Sequence, residues 1–77
     1  MTIEPFKLKV DENIQAFKNL IDLCSSNRWE RLYHLTNVLD EHHNKLSSLI
    51  PKDSYQNECN EYIKERLLEY ANYAINP

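Results

Sequence analysis

The sequence predicts an all-α fold, a three-helix bundle made of a small antiparallel helical hairpin plus a third helix, with a long central helix. Three observations carry that prediction. Between Asn27 and Ile50, Leu32, Leu35, Leu39, His42, Leu46 and Leu49 recur at steps of 3, 4, 3, 4 and 3, which keeps one narrow stripe in line along a helix like a coiled-coil seam. Weaker apolar runs of helical period stand before and after it. Short punctuated stretches, Ser25-Ser26-Asn27 and the turn that begins at Pro51, divide the three.

The 77 residues make one domain, 1–77, and a domain of this size buries only about 60% of its unfolded surface. Met1 to Val10 has two readings. Phe6, Leu8 and Val10 alternate with Lys7 and Lys9 as a strand would, whereas Glu4-Pro5 suits a helix start with proline at its first position. A lone strand has nothing to pair with, so residues 1–10 are expected to be an arm that becomes helical near Pro5 or near Asp11. Val10, Ile14, Phe17, Ile21 and Cys24 then follow at helical steps, with Leu20 widening the stripe, and helix one is expected at about 11–25.

Asn27 followed three residues later by Glu30 has the form of a capping box and opens helix two, expected at about 27–50. The connection is short enough to make helices one and two antiparallel neighbours with their seams face to face. Trp29 falls in the first turn of helix two, where its ring is expected to close the hairpin end over Leu20 and Leu23. On that expectation Trp29→Ala would cost about 3 to 5 kcal/mol. Helix two should be the longest, reaching roughly 35 Å. Pro51 stops it, because the residue before proline avoids helical geometry.

Asp53 and Gln56 form another capping pattern, and helix three is expected at about 53–75. Its main stripe is Cys59, Ile63, Leu67, Tyr70 and Ala74. Tyr55, Tyr62 and Tyr73 fall on a second line beside it, with Leu68 and Ile75 beyond its other edge, so apolar and aromatic groups cover well over half the circumference. One stripe suffices to hold a third helix in a hairpin groove. The surplus predicts an interface for a client helix or a second copy, supplied by Leu46, Leu49, Tyr62, Leu68, Tyr70 and Tyr73.

Several function classes are disfavoured. A net charge of −3 with mixed acidic and basic residues is no footprint for nucleic acid. The chain has no glycine, so phosphate-cradling loops and dinucleotide fingerprints have no basis, and no cofactor is expected. No apolar run approaches the roughly 18 to 20 residues of a membrane span, and without a secretory signal a cytoplasmic location is the default. Cys24 and Cys59 are expected to be reduced. Glu30 with His34 and Asp40 with His43 each offer two metal positions, but two ligands do not make a site, so His34 and His43 are assigned to a solvated face. His42, inside the leucine seam, is a core histidine or a group that fixes register. Neither a nucleophile beside a base nor a convergent carboxylate pair is legible, and the chain is expected not to be an enzyme.

The segment Asn19-Leu20-Ile21-Asp22-Leu23-Cys24-Ser25-Ser26-Asn27-Arg28-Trp29-Glu30-Arg31-Leu32 resembles the N-terminal hairpin of FliT-like flagellar export chaperones, where an aliphatic-rich helix end passes through small polar residues into a Trp-Asp/Glu pair and a long helix. Tyr62-Ile63-Lys64, after a proline-containing turn, also fits, and the resemblance stretches over Phe17 to about Tyr73. It implies a cytoplasmic chaperone that holds a late flagellar export substrate, the filament cap protein, and touches the export ATPase apparatus. Family members carry a further C-terminal helix that masks the partner surface. Here the sequence ends at Pro77, which implies an open groove between helices two and three. The alternative is a small dimeric helical regulator or inhibitor of another protein, unrelated to secretion.

Overall fold

The computed structural model describes residues 3–24, 27–52 and 55–76. It contains three helices, α1 (Glu4–Cys24), α2 (Arg28–Ser47) and α3 (Gln56–Ile75), and no strand among the described residues. They stack up, down and up into a slender all-α bundle measuring 43 × 18 × 15 Å, so α1 and α3 run parallel with α2 antiparallel to both.

Helix α1 begins at Glu4, inside the segment expected to be an arm, and Lys7 N already donates to Ile3 O at 2.9 Å. Burial decides between the two periods. Phe6 and Val10 join Ile14, Phe17 and Ile21 in the core, while Leu8 between them is exposed, as a helix requires and a strand face does not. Glu4 in the first turn complements the helix dipole, and Pro5 needs no intrahelical donor there. With 21 residues against 20 each for α2 and α3, α1 is the longest helix, contrary to the expectation for the central one.

Asn27 caps α2 by accepting from Trp29 N at 2.8 Å and Glu30 N at 3.3 Å. The regular helix ends at Ser47, three residues short of the expected end. Leu49 N and Ile50 N then bond to Leu46 O and Ser47 O, the tighter i to i−3 pattern that often finishes a helix before a proline. Helix α3 starts at Gln56 after Tyr55, which makes no side-chain cap bond; Asp53, the expected cap, lies outside the described residues.

The core is built from Phe6, Val10, Ile14, Phe17 and Ile21 of α1, Leu35 and Leu46 of α2, and Cys59, Ile63, Leu67, Tyr70 and Ala74 of α3. All five members of the expected α3 stripe are buried. The leucine seam of α2 is not the organiser: Leu32, Leu39, His42 and Leu49 are only half-buried. Helix α3 packs on α1 and on α2 more extensively than those two pack on each other, so the hub is the third helix. Cys24 ends its stripe in solvent and Cys59 is buried, and the two are not joined by a disulfide.

Candidate docking groove between helices α2 and α3

The tyrosine line of α3 faces α1. Tyr62 donates its hydroxyl to Asp11 Oδ1 at 2.7 Å and Tyr73 donates to Asp22 Oδ2 at 2.6 Å. Each pair is 51 positions apart, because both helices advance by 11 residues between one bond and the next. Eleven residues are three turns to within about 20°, so parallel helices bring the same two residue types together twice, about 16 Å apart. A cation backs each ring, Lys7 over Tyr62 at 5.3 Å and Lys18 over Tyr73 at 5.2 Å. Each aspartate also meets an arginine. Arg31 Nη1 donates to Asp22 Oδ1 at 3.1 Å, while Arg66 Nε stands 3.1 Å from Asp11 Oδ1 as an ion pair without hydrogen-bond geometry.

These contacts shift the groups they join. Burial, reinforced by Asp11, pushes the Tyr62 phenol up to about 12. The bond to Asp22 raises that of Tyr73, and the same bond holds the Asp22 carboxyl below its ordinary value. Both tyrosines are therefore engaged with α1, each half-buried. The repeated spacing of Asp11 to Asp22 and Tyr62 to Tyr73 was the signal for this seam, since it equals three turns in two helices of one bundle.

Arg31 is the buried charge that periodicity alone misses, at 2% exposure on the core side of α2. Its Nε donates to Ala74 O at 2.8 Å, satisfying a carbonyl in the last turn of α3 where a cation also suits the dipole. With Asp22 and the Tyr73 ring 5.7 Å away, it ties one end of all three helices together. Nearer the middle, His42 stacks on Phe17 with ring centroids 3.7 Å apart and meets the edge of Tyr70 at 5.6 Å. Burial lowers its basicity, so the neutral ring is the packed form. The Tyr70 hydroxyl is buried and finds no hydrogen-bond partner among the described residues.

Six residues were expected to form a partner surface, and the structure separates them. Leu46 and Tyr70 are fully buried and have no surface to present. Leu49 is half-buried against the core, and Tyr62 and Tyr73 belong to the α1–α3 seam. Only Leu68, 64% exposed, stands free for contact. It forms one lip of an open groove of about 330 Å³ between Leu39, Asp40 and His43 of α2 and Lys64, Leu67, Leu68 and Ala71 of α3, whose walls are mostly carbon. His43, assigned to a solvated face, is exposed and also lines the groove.

Trp29 does not plug the hairpin. The ring is 74% exposed, as are Leu20 and Leu23 that were to pack beneath it, at 54% and 83%. Capping sets its position: with Asn27 at the cap, the helical angle that sends Arg31 inward turns Trp29 away, because two residues differ by about 200°. At about 100° per residue Trp29 and half-buried Leu32 share the side of α2 that carries Leu39 and His43, while Ala71 and Ile75 share the facing side of α3 with Leu68. Arg31 bonds to Ala74, which places Trp29 near the level of Ile75, on the groove side of α2 but beyond the groove itself toward the hairpin end.

No group of three or more His, Cys, Asp or Glu suited to hold a metal occurs among the described residues, and no helix there is long and apolar enough to cross a membrane. Compared with family models, with curated proteins and with solved structures, the chain has no match.

Proposed function

We propose that the chain is a non-enzymatic protein-binding helical bundle that receives an apolar helix of a partner protein in the α2–α3 groove. One observation carries this reading: Leu68 is largely exposed on the lip of an apolar trough whose floor includes Leu39, Leu67 and Ala71. Exposed leucine in such a setting is stabilised when another apolar surface covers it. The exposed Trp29 on the same side of α2 adds an anchor of the kind that dominates interface energetics.

Within that reading the chain works as a cytoplasmic export chaperone of the FliT-like kind, and its partner is a flagellar or type III export substrate. The resemblance around Trp29-Glu30 supports this version. Affinity capture from the source cell with the tagged full chain tests it, using Leu68→Asp and Trp29→Ala beside the wild type. Both variants are expected to melt as the wild type does and to lose an export substrate that the wild type retains. A retained partner unrelated to secretion overturns the chaperone version and favours a regulator or inhibitor. Capture that is indifferent to both substitutions overturns the groove.

A further inference from the structure

We propose that the partner helix is basic, carrying lysine or arginine along at least one flank of its apolar stripe; this rests on the docking reading above and specifies its chemistry. The argument is charge complementarity around the trough. On α3, Glu58, Glu61 and Glu65 are all exposed and lie at helical angles just outside Leu68, so they line the outer edge of that lip. The opposite wall contributes the exposed carboxylate of Asp40. Glu69 continues the α3 line and is held by Arg66. Lys64 is the lysine among the residues that line the groove. A helix seated over Leu68 and Ala71 therefore has carboxylates on both sides of its apolar contact, with Lys64 as the cation among the lining residues.

An acidic helix laid there would bring like charges together at short range, and a helix with neutral flanks would leave the carboxylates unused. Cationic flanks gain several solvent-exposed pairs, each small, and these set partner choice and encounter rate more than total affinity. Since the charges sit at the rim, the preference is sensitive to salt.

The test measures fluorescence anisotropy of labelled synthetic helices of about five turns against the full-length chain. One peptide has a leucine stripe flanked by lysine, a second has the same stripe flanked by glutamate, and a third scrambles the first so that no stripe forms. The lysine-flanked helix is expected to bind about tenfold tighter than the glutamate-flanked one, with the gap closing as salt is raised. The scrambled peptide should bind far more weakly. The exposed double variant Glu61→Lys with Glu65→Lys should reverse the preference, and Leu68→Ser should weaken both striped peptides alike.

Equal affinity for the two striped helices, with both lost in Leu68→Ser, overturns the basic partner and leaves the groove reading intact. Equal binding of the scrambled peptide overturns the proposal as general charge attraction. Binding that ignores Leu68→Ser, or no binding of any peptide, removes the groove reading and the proposal with it. Light scattering supplies the last arm: a dimer that persists on dilution and dissociates in Leu68→Ser makes a second copy the occupant and overturns the basic partner.

Discussion

Replacing Arg31 probes a buried charge that joins all three helices. Two substitutions separate charge from packing: Arg31→Met keeps an apolar stem of similar length, and Arg31→Ala removes that stem as well. The lost contacts include the buried bond from Nε to Ala74 O and the bond from Nη1 to Asp22. Removing one member of a fully buried ion pair costs about 3 to 5 kcal/mol, largely because the other charge is stranded. Here Arg31 is buried but the Asp22 side chain is 47% exposed, so its carboxylate can hydrate and the full penalty does not apply. A charged hydrogen bond to a buried carbonyl contributes about 1.5 to 3 kcal/mol, which puts Arg31→Met at about 2 kcal/mol and Arg31→Ala at about 3 kcal/mol. For a domain whose total stability is on the order of 4 to 12 kcal/mol, the second change is expected to lower Tm by roughly 10 to 20 °C. Urea titration followed by far-ultraviolet circular dichroism measures both. If Arg31→Met is as stable as the wild type, burial of the guanidinium contributes nothing net and the reasoning for the three-helix tie is wrong.

Three further outcomes follow from the same contacts. Tyr62→Phe should cost about 1 kcal/mol by removing the bond to Asp11. Because the folded phenol is raised to about 12, the wild type should lose stability as pH climbs through 10 toward 12, and this loss should shrink in the variant. His42 is lowered in the fold, so the unfolded chain binds more protons; denaturation midpoints should be highest above pH 6.5 and fall as the solution is acidified below it. His42→Phe should flatten that step, and an unchanged profile would refute the assignment of the stacked ring as neutral. Finally, Trp29→Ala should change stability by no more than about 0.5 kcal/mol, since the ring is exposed, whereas Leu46→Ala should cost about 2 to 5 kcal/mol; calorimetric melts of the pair check both.

What was legible beforehand follows from how local each cause is. The helical period of Cys59, Ile63, Leu67, Tyr70 and Ala74 was enough to place them in the core, because a repeat of apolar side chains has no other way to leave water. The cap at Asn27 was readable for the same reason, since its bonds reach only two and three residues onward. At the other extreme, the hydrogen-bond partners of Tyr62 and Tyr73 were not legible. A stripe of tyrosines beside an apolar stripe looks like surplus until the acceptors Asp11 and Asp22 arrive from a helix 51 positions away.

Trp29 shows the same limit within one turn. Its composition and place suited a plug, yet which way a first-turn residue points depends on the rotation of α2 about its axis, and that rotation is set by burying Arg31 and Leu35 against α3 and α1. The period of the apolar residues thus determined three helices, the approximate ends of α2 and α3 and the principal stripe of α3, because those are properties of short stretches of chain in water. Which helix is the hub, which face of α2 turns outward, and that Leu68 alone of the six expected residues remains exposed were decided by the tertiary structure. Those outcomes depend on how three amphipathic surfaces share one core, and on polar partners that meet only after the helices have packed.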